Sequence, residues 1–468
     1  MTERPNILLI FADQLAWRAL PAHGDTFAQT PNIDRIAQRA VRFGEAYTPC
    51  PLCQPARAAY WTGRYPHETG VLSNGRKHHV PNVPEALPTA GELFANAGYT
   101  TIHFGKRHDA GSLRGFTLAE LGQLPVDEAP AWPLNADTFY DRHTTEKAVE
   151  WLQRYDGDAP YLAVADLNNP HNICGWVGAN AGPHQDVPVE GPLPRLPDNF
   201  EDLDLGRRPR PVQYICCSHN RLSQAAAWTP ENYQHYLRAY YHYLARVDAE
   251  IGCILDALEQ RADAANTLTV FTADHGDGIA AHRMVTKQVS FIEETTHVPL
   301  MVAGPPGLVS EGRDVTALVS LLDLVPTLCD VAGVVPPSVM RGRSLRPWLE
   351  GNPADEDGAY VASEWHTEWG FTISPGRMLR TERYKYTRYL EHDGEELYDL
   401  ANDRGETRTL VGDPAHAEAL AAHRALLEAH VEATEDPFFN LQWMAEDRWR
   451  SHAVGYENHE GPAAPMVG

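Results

Sequence analysis

The chain has 468 residues, 43% of them hydrophobic and 22% charged, the balance of a globular protein long enough to hold more than one domain. Asp and Glu number 63 against 39 Lys and Arg, a formal charge of -24 that repels polyanions at long range and excludes nucleic acid as an expected partner. Seven cysteines, an odd count in so long a chain, fit a reducing compartment better than a disulfide framework.

Ile7–Ala12 reads as a buried strand, continuous and bulky, stopped by the polar pair Asp13-Gln14. This apolar run is short and lacks a small-residue cleavage site, so it does not read as a secretory signal. The run at Leu318–Leu328 is too short to cross a bilayer and contains Asp323. The expectation is a cytoplasmic chain with no membrane partner, or a periplasmic or secreted one if a leader was trimmed. Thr30-Pro31-Asn32 starts a helix, with Thr30 as cap and Pro31 at the first helical position. Tyr99–Phe104, Tyr161–Leu167, Leu268–Thr272 and Val298–Val302 read as further strands. A long helix begins at Thr229-Pro230-Glu231, its apolar face running through Tyr236, Tyr240, Leu244, Val247, Ile251, Ile254 and Leu258.

Helices alternating with buried strands imply a large, mostly parallel α/β sheet. Ligands gather at the carboxyl ends of such strands, and both Asp13 and Asp274 directly follow apolar strands. After residue 355 the texture changes. Short antiparallel strands at Tyr384–Thr387 and Glu396–Leu400, with an Ala-rich helix at His416–Glu432, predict a smaller α+β domain over 356–468, following a catalytic domain over 1–355. Segment 175–228, rich in Pro, Gly and Arg, reads as a long insertion that walls the site. The aromatic tail with Trp443, Trp449 and Tyr456 reads as a packing arm or a homo-oligomer contact.

Chemistry concentrates at Cys53-Gln54-Pro55-Ala56-Arg57, followed by Thr62-Gly63-Arg64. Pro55 is tolerated only early in a helix and Ala56–Ala59 favours helix after it, so Cys53 sits at a helix N-terminus with Arg57 one turn on. A cysteine-dependent phosphatase needs Arg six residues after its cysteine, but Ala56 and Ala59 stand there. A redox pair Cys50/Cys53, half of a zinc site with Cys216-Cys217 as a poor second half, and a buried structural cysteine all remain open from these residues alone.

Cys-x-Pro-x-Arg followed by Thr-Gly-Arg resembles the hallmark of the type I formylglycine-dependent sulfatases, within the alkaline phosphatase superfamily. The resemblance covers nearly the whole chain: Ile7–Gln14, Thr30–Asp34, Phe104-Gly105-Lys106-Arg107-His108, Pro170-His171, Phe271–Asp277 with Lys287 beyond it, Tyr384–Tyr386 and Leu397–Leu400. It implies an alkaline phosphatase-like fold and hydrolysis of a sulfate ester, on a carbohydrate or another small alkyl sulfate. It implies a nucleophile made from Cys53 by a separate formylglycine-generating maturation enzyme. Asp13, Gln14, Cys53, Asp274 and His275 become the metal set, with oxygen ligands that suit Ca2+. Many family members have Asn where His275 stands, which makes Mn2+ an alternative. Cys53, Arg57, Lys106, His108, His171 and Lys287 become the catalytic set. Arg57 and Lys106 are expected on the sulfate, His108 as the base that expels it, and His171 or Lys287 on the leaving alkoxide. His282, Trp365, His366 and Trp369 are weaker candidates for a substrate wall. The strongest rival is a formylglycine phosphonate monoesterase or phosphodiesterase, a branch that shares Asp-Gln and Asp-His but typically lacks the Lys106/His108 element. The acidic charge tilts the expected substrate toward small or lightly sulfated molecules.

Overall fold

The computed structural model describes residues 4–440 apart from 75–79, 121–137, 181–190, 202–207, 210, 213–224, 226, 288–289, 311, 354–359, 367–374 and 391–393. Trp369, the aromatic tail and much of segment 175–228 lie outside the described residues.

Strand β1 (Asn6–Ala12) is buried along its whole length, with parallel strands paired on both edges. It sits inside an eight-stranded sheet ordered β4-β3-β5-β1-β6-β7-β2-β8. The other strands are β2 (Val41–Tyr47), β3 (Thr100–Gly105), β4 (Thr117–Leu118), β5 (Tyr161–Leu167), β6 (Thr267–Thr272), β7 (Leu300–Ala303) and β8 (Arg313–Ser320). Only β7 runs against its neighbours. Strands β2 and β8 were not evident from the sequence, because Arg42, Glu45, Arg313 and Asp314 interrupt their apolar pattern. The long helix Pro230–Glu259 starts where expected, with the Thr229 side chain accepting from the Asn232 amide. The Pro31–Arg39 helix is capped differently. Thr30 makes no side-chain cap bond; Asp248 of the long helix accepts the Asn32 and Ile33 amides instead, at 3.1 and 2.8 Å.

A second sheet, antiparallel and ordered β12-β11-β10-β9, holds β9 (Tyr360–Trp365), β10 (Gly376–Thr381), β11 (Tyr384–Tyr389) and β12 (Glu395–Asp399). The Glu364 amide of β9 donates to Pro49 O at 2.8 Å, which ties this sheet to the turn that leads into Cys53. Beside that tie lies a closed charge network. Arg377 takes both carboxylate oxygens of Asp436, and His67 Nδ1 meets Glu364 Oε1 at 2.7 Å. Burial lowers the pKa of His67, but the Glu364 carboxylate outweighs it and lifts the group to about 9 from 6.5. A folded-state pKa above the unfolded one stabilises fully below 6.5 and fades as pH rises through 9. On the order of 3 kcal/mol should be lost across that window. Urea midpoints for wild type and His67→Gln at pH 6 and pH 10 check this: the wild-type advantage should vanish at the higher pH. Among the described residues no helix is long and apolar enough to cross a membrane.

Candidate active site

Four adjacent strands deliver the site from their carboxyl ends. Strand β1 runs into Asp13 and Gln14, β6 into Asp274 and His275, β5 carries Asp166 near its end, and β3 turns at Gly105 into Lys106. Gly105 has φ 94°, and a Cβ there would lie 2.1 Å from Asp166 O, so this turn requires glycine. The Cys53–Thr62 helix supplies the fifth side. Leu52 precedes it in extended conformation without a side-chain cap, and Cys53 is its first residue.

Cys53 is fully buried, with Sγ 3.1 Å from His275 Nε2 and 3.1 Å from Lys287 Nζ. His108 and His171 stand close enough to interact with the same side chain. Burial pushes the thiol up, but Lys287, Lys106 and His275 together hold it well below the usual thiol range. The pocket around residue 53 is therefore built to surround negative charge, inside a chain whose net charge is -24. The Lys106 ammonium pairs with Asp13 Oδ2. Burial raises Asp13, but the cationic groups around it, Lys106 foremost and Arg57 among them, together more than reverse that, so its carboxyl lies well below the ordinary range. Burial lowers His171, and the ammoniums of Lys106 and Lys287 lower it further, to about 3. His171 is thus a neutral imidazole near neutral pH.

Arg57, expected on the anion, spends its donors on carboxylates. Nε reaches Asp274 at 3.1 Å, Nη2 reaches Asp13 at 2.9 Å, and Nη1 pairs with Asp166. The guanidinium is a fully buried hub that draws three strand ends together.

Asp13, Cys53, Asp274 and His275 each offer one ligand atom, and these atoms lie within 4.8 Å of one another. Asp13 Oδ1 is buried without a hydrogen-bond partner, a lone pair left over where a cation would take it. Two carboxylates and an imidazole suit a divalent ion. Gln14, the remaining expected ligand, is held by its neighbours: Nε2 donates to Asp277 Oδ2 at 2.6 Å and Oε1 accepts from Lys287 Nζ at 2.9 Å.

The family profile described as Sulfatase matches residues 5–334. The chain belongs to the sulfatase family. A second profile, N-sulphoglucosamine sulphohydrolase C-terminal, matches residues 281–433 of this sulfatase. It is 48% identical over 467 residues to a Delta 4,5-hexuronate-2-O-sulfatase of Bacteroides thetaiotaomicron, covering 99% of this chain and 96% of that one. Its fold superposes on a solved 2-O GAG sulfatase with TM-score 0.88 at 46% identity, over 100% of both chains. A phosphonate monoester hydrolase of Agrobacterium radiobacter shares the fold, with TM-score 0.75 at 24% identity over 93% of this chain and 97% of that one. The activity of this sulfatase is the hydrolysis of sulfuric esters.

The sulfatase thus brings Cys53, Lys106, His108, His171, Lys287, Asp13, Asp274 and His275 around one buried point. Three partners were missed in the sequence, Asp166 and Tyr236 buried and Cys174 half-buried. Asp166 had a signal, a single carboxylate inside the apolar run Tyr161–Leu167. Tyr236 counted as apolar on its helix, yet its hydroxyl reaches Asp277. Cys174, in the short helix Ile173–Ala179, lies 3.4 Å from Gln14 Nε2, and a lone cysteine gives no signal. The weaker candidates are explained by packing. Trp365 stacks on Phe291 at 5.4 Å, His366 meets Arg377, and His282 meets Asn199 and Arg208.

Proposed function

We propose that this sulfatase removes the 2-O-sulfate of an unsaturated hexuronate at the end of a short glycan, with the hydrated aldehyde made from Cys53 as its nucleophile and Ca2+ as its metal. The observation that carries the substrate is the 48% identity to a Delta 4,5-hexuronate-2-O-sulfatase, sustained over 99% of the chain. A small terminal substrate also suits a chain of charge -24, which would repel a long sulfated polymer.

Asp13, Asp274 and His275 would hold the ion together with residue 53 and Gln14; His275 admits Mn2+ as the alternative. When bound, the ion polarises the sulfate oxygens and offsets charge on the nucleophile. Oxidised and hydrated, residue 53 offers one hydroxyl to attack sulfur, displacing the sugar oxygen, and a second whose deprotonation expels sulfate and restores the aldehyde. Lys106 and Lys287 supply fixed positive charge beside the sulfate oxygens. His108, beside residue 53, is the base for the second step. His171, held neutral, orients rather than protonates, which leaves the Lys287 ammonium as the group that meets the leaving alkoxide. Arg57 keeps Asp13, Asp166 and Asp274 in register.

Paired assays on the matured enzyme test the reading. A 2-O-sulfated unsaturated disaccharide should be cleaved at least about a hundredfold faster than a 6-O-sulfated glucosamine or a phosphonate monoester, the discrimination a built pocket gives. Faster phosphonate cleavage would hand the site to the rival chemistry. Chelation should lower the melting temperature, and Ca2+ at a hundred times its Kd should restore about 2.7 kcal/mol, read by calorimetry. A melting temperature indifferent to Ca2+ and Mn2+ would remove the metal from the proposal.

A further inference from the structure

Tyr236 and Asp277 are buried beside the site and touch none of the reacting groups. Tyr236 projects from the long helix Pro230–Glu259, and Asp277 lies on the loop that follows β6. The Tyr236 hydroxyl donates to Asp277 Oδ1 and accepts from the Thr286 amide at 3.0 Å, so one oxygen bridges the two ends of the 277–286 loop. That loop is strained. Ile279, Ala280, His282, Arg283 and Thr286 all have φ between 35° and 66°, a region that side-chain-bearing residues avoid and that persists only where surroundings enforce it.

Asp277 Oδ2 accepts from Gln14 Nε2 at 2.6 Å. A carboxamide whose nitrogen is committed turns its oxygen the other way, and Gln14 Oε1 duly accepts from Lys287 Nζ at 2.9 Å. Lys287 itself meets Cys53 Sγ at 3.1 Å. Lys287 is therefore bracketed from two directions. Its backbone follows directly on Thr286, held by Tyr236, and its ammonium is held by Gln14, which Asp277 orients.

We propose that Tyr236 and Asp277 are positioning residues that aim the Lys287 ammonium at residue 53, Asp277 through the Gln14 carboxamide and Tyr236 through the backbone that carries the lysine. This rests on the reading above only in that Lys287 faces the bound anion; it does not depend on which sugar is cleaved. Side chains that act through one another give non-additive losses, whereas two independent contributions to the fold add.

A double-mutant cycle on the full-length protein tests it, with Tyr236→Phe, Lys287→Ala and the pair together. Two readouts are taken: the Kd of inorganic sulfate by calorimetry, and kcat and KM on the 2-O-sulfated disaccharide. Tyr236→Phe should weaken sulfate binding and lower kcat by about tenfold each in the wild-type background, and by less than about twofold where Lys287 is already alanine. Asp277→Asn should repeat the pattern, which keeps the inference open to test if the phenylalanine variant folds poorly. The same fold-loss in both backgrounds, or no loss in either, overturns it. Should the disaccharide prove not to be a substrate, the substrate reading fails while the sulfate cycle still decides the positioning.

Discussion

Cys53→Ala should lower turnover of a sulfate ester by at least about four orders of magnitude while leaving the protein folded. The side chain has no exposed surface and lies 3.1 Å from both His275 Nε2 and Lys287 Nζ, so alanine removes the proposed nucleophile and leaves these neighbours in place. The ring of positive charge survives the change. The alanine variant should therefore still bind inorganic sulfate, because Lys106, Lys287 and His275 then face an anion hole emptied of its own anion. Circular dichroism, sulfate calorimetry and single-turnover assays on one preparation check all three statements. Residual activity near wild type would refute the nucleophile.

Arg57→Ala should cost about 3–5 kcal/mol of stability in metal-free protein, the loss expected when one partner of a buried ion network is removed. Three carboxylates, after β1, on β5 and after β6, each take a different nitrogen of this guanidinium. Without it they repel one another in a dry site. Arg57→Lys should rescue only part of the loss, since an ammonium has no planar fork to span three acceptors. Ca2+ should narrow the gap between wild type and variant, because a divalent ion offsets some of the same charge. Urea titrations of the three proteins with and without Ca2+ give the comparison. An alanine variant as stable as wild type would show that the hub is dispensable.

The parts of the site legible in the sequence share a physical reason. Strand β1 is a continuous apolar run and β6 carries an apolar core of Leu268, Val270 and Phe271; each gives way to polar residues, which marks Asp13 and Asp274 as edge residues. Pro55 and the alanines after it mark a helix start at Cys53. What escaped notice depends on contacts between distant elements. The Arg57 side chain looked like the nearest cation for an anion, yet only the fold shows that three strand ends claim it first. Asp248 caps a helix remote from it in sequence, displacing the local candidate Thr30. Tyr236 carries both an apolar ring and a polar tip, and the helical period registers only the ring.

Full enclosure of Cys53 also constrains the life history of the chain. The side chain has zero accessible surface, and its walls include His275 and Lys287, which a ribosome adds long after residue 53 has emerged. Any catalyst that oxidises this sulfur must meet the nascent polypeptide before β6 slots in beside β1 and shuts the door. The oxidation proposed above would then compete with folding in time, and a chain that folded first would keep its thiol.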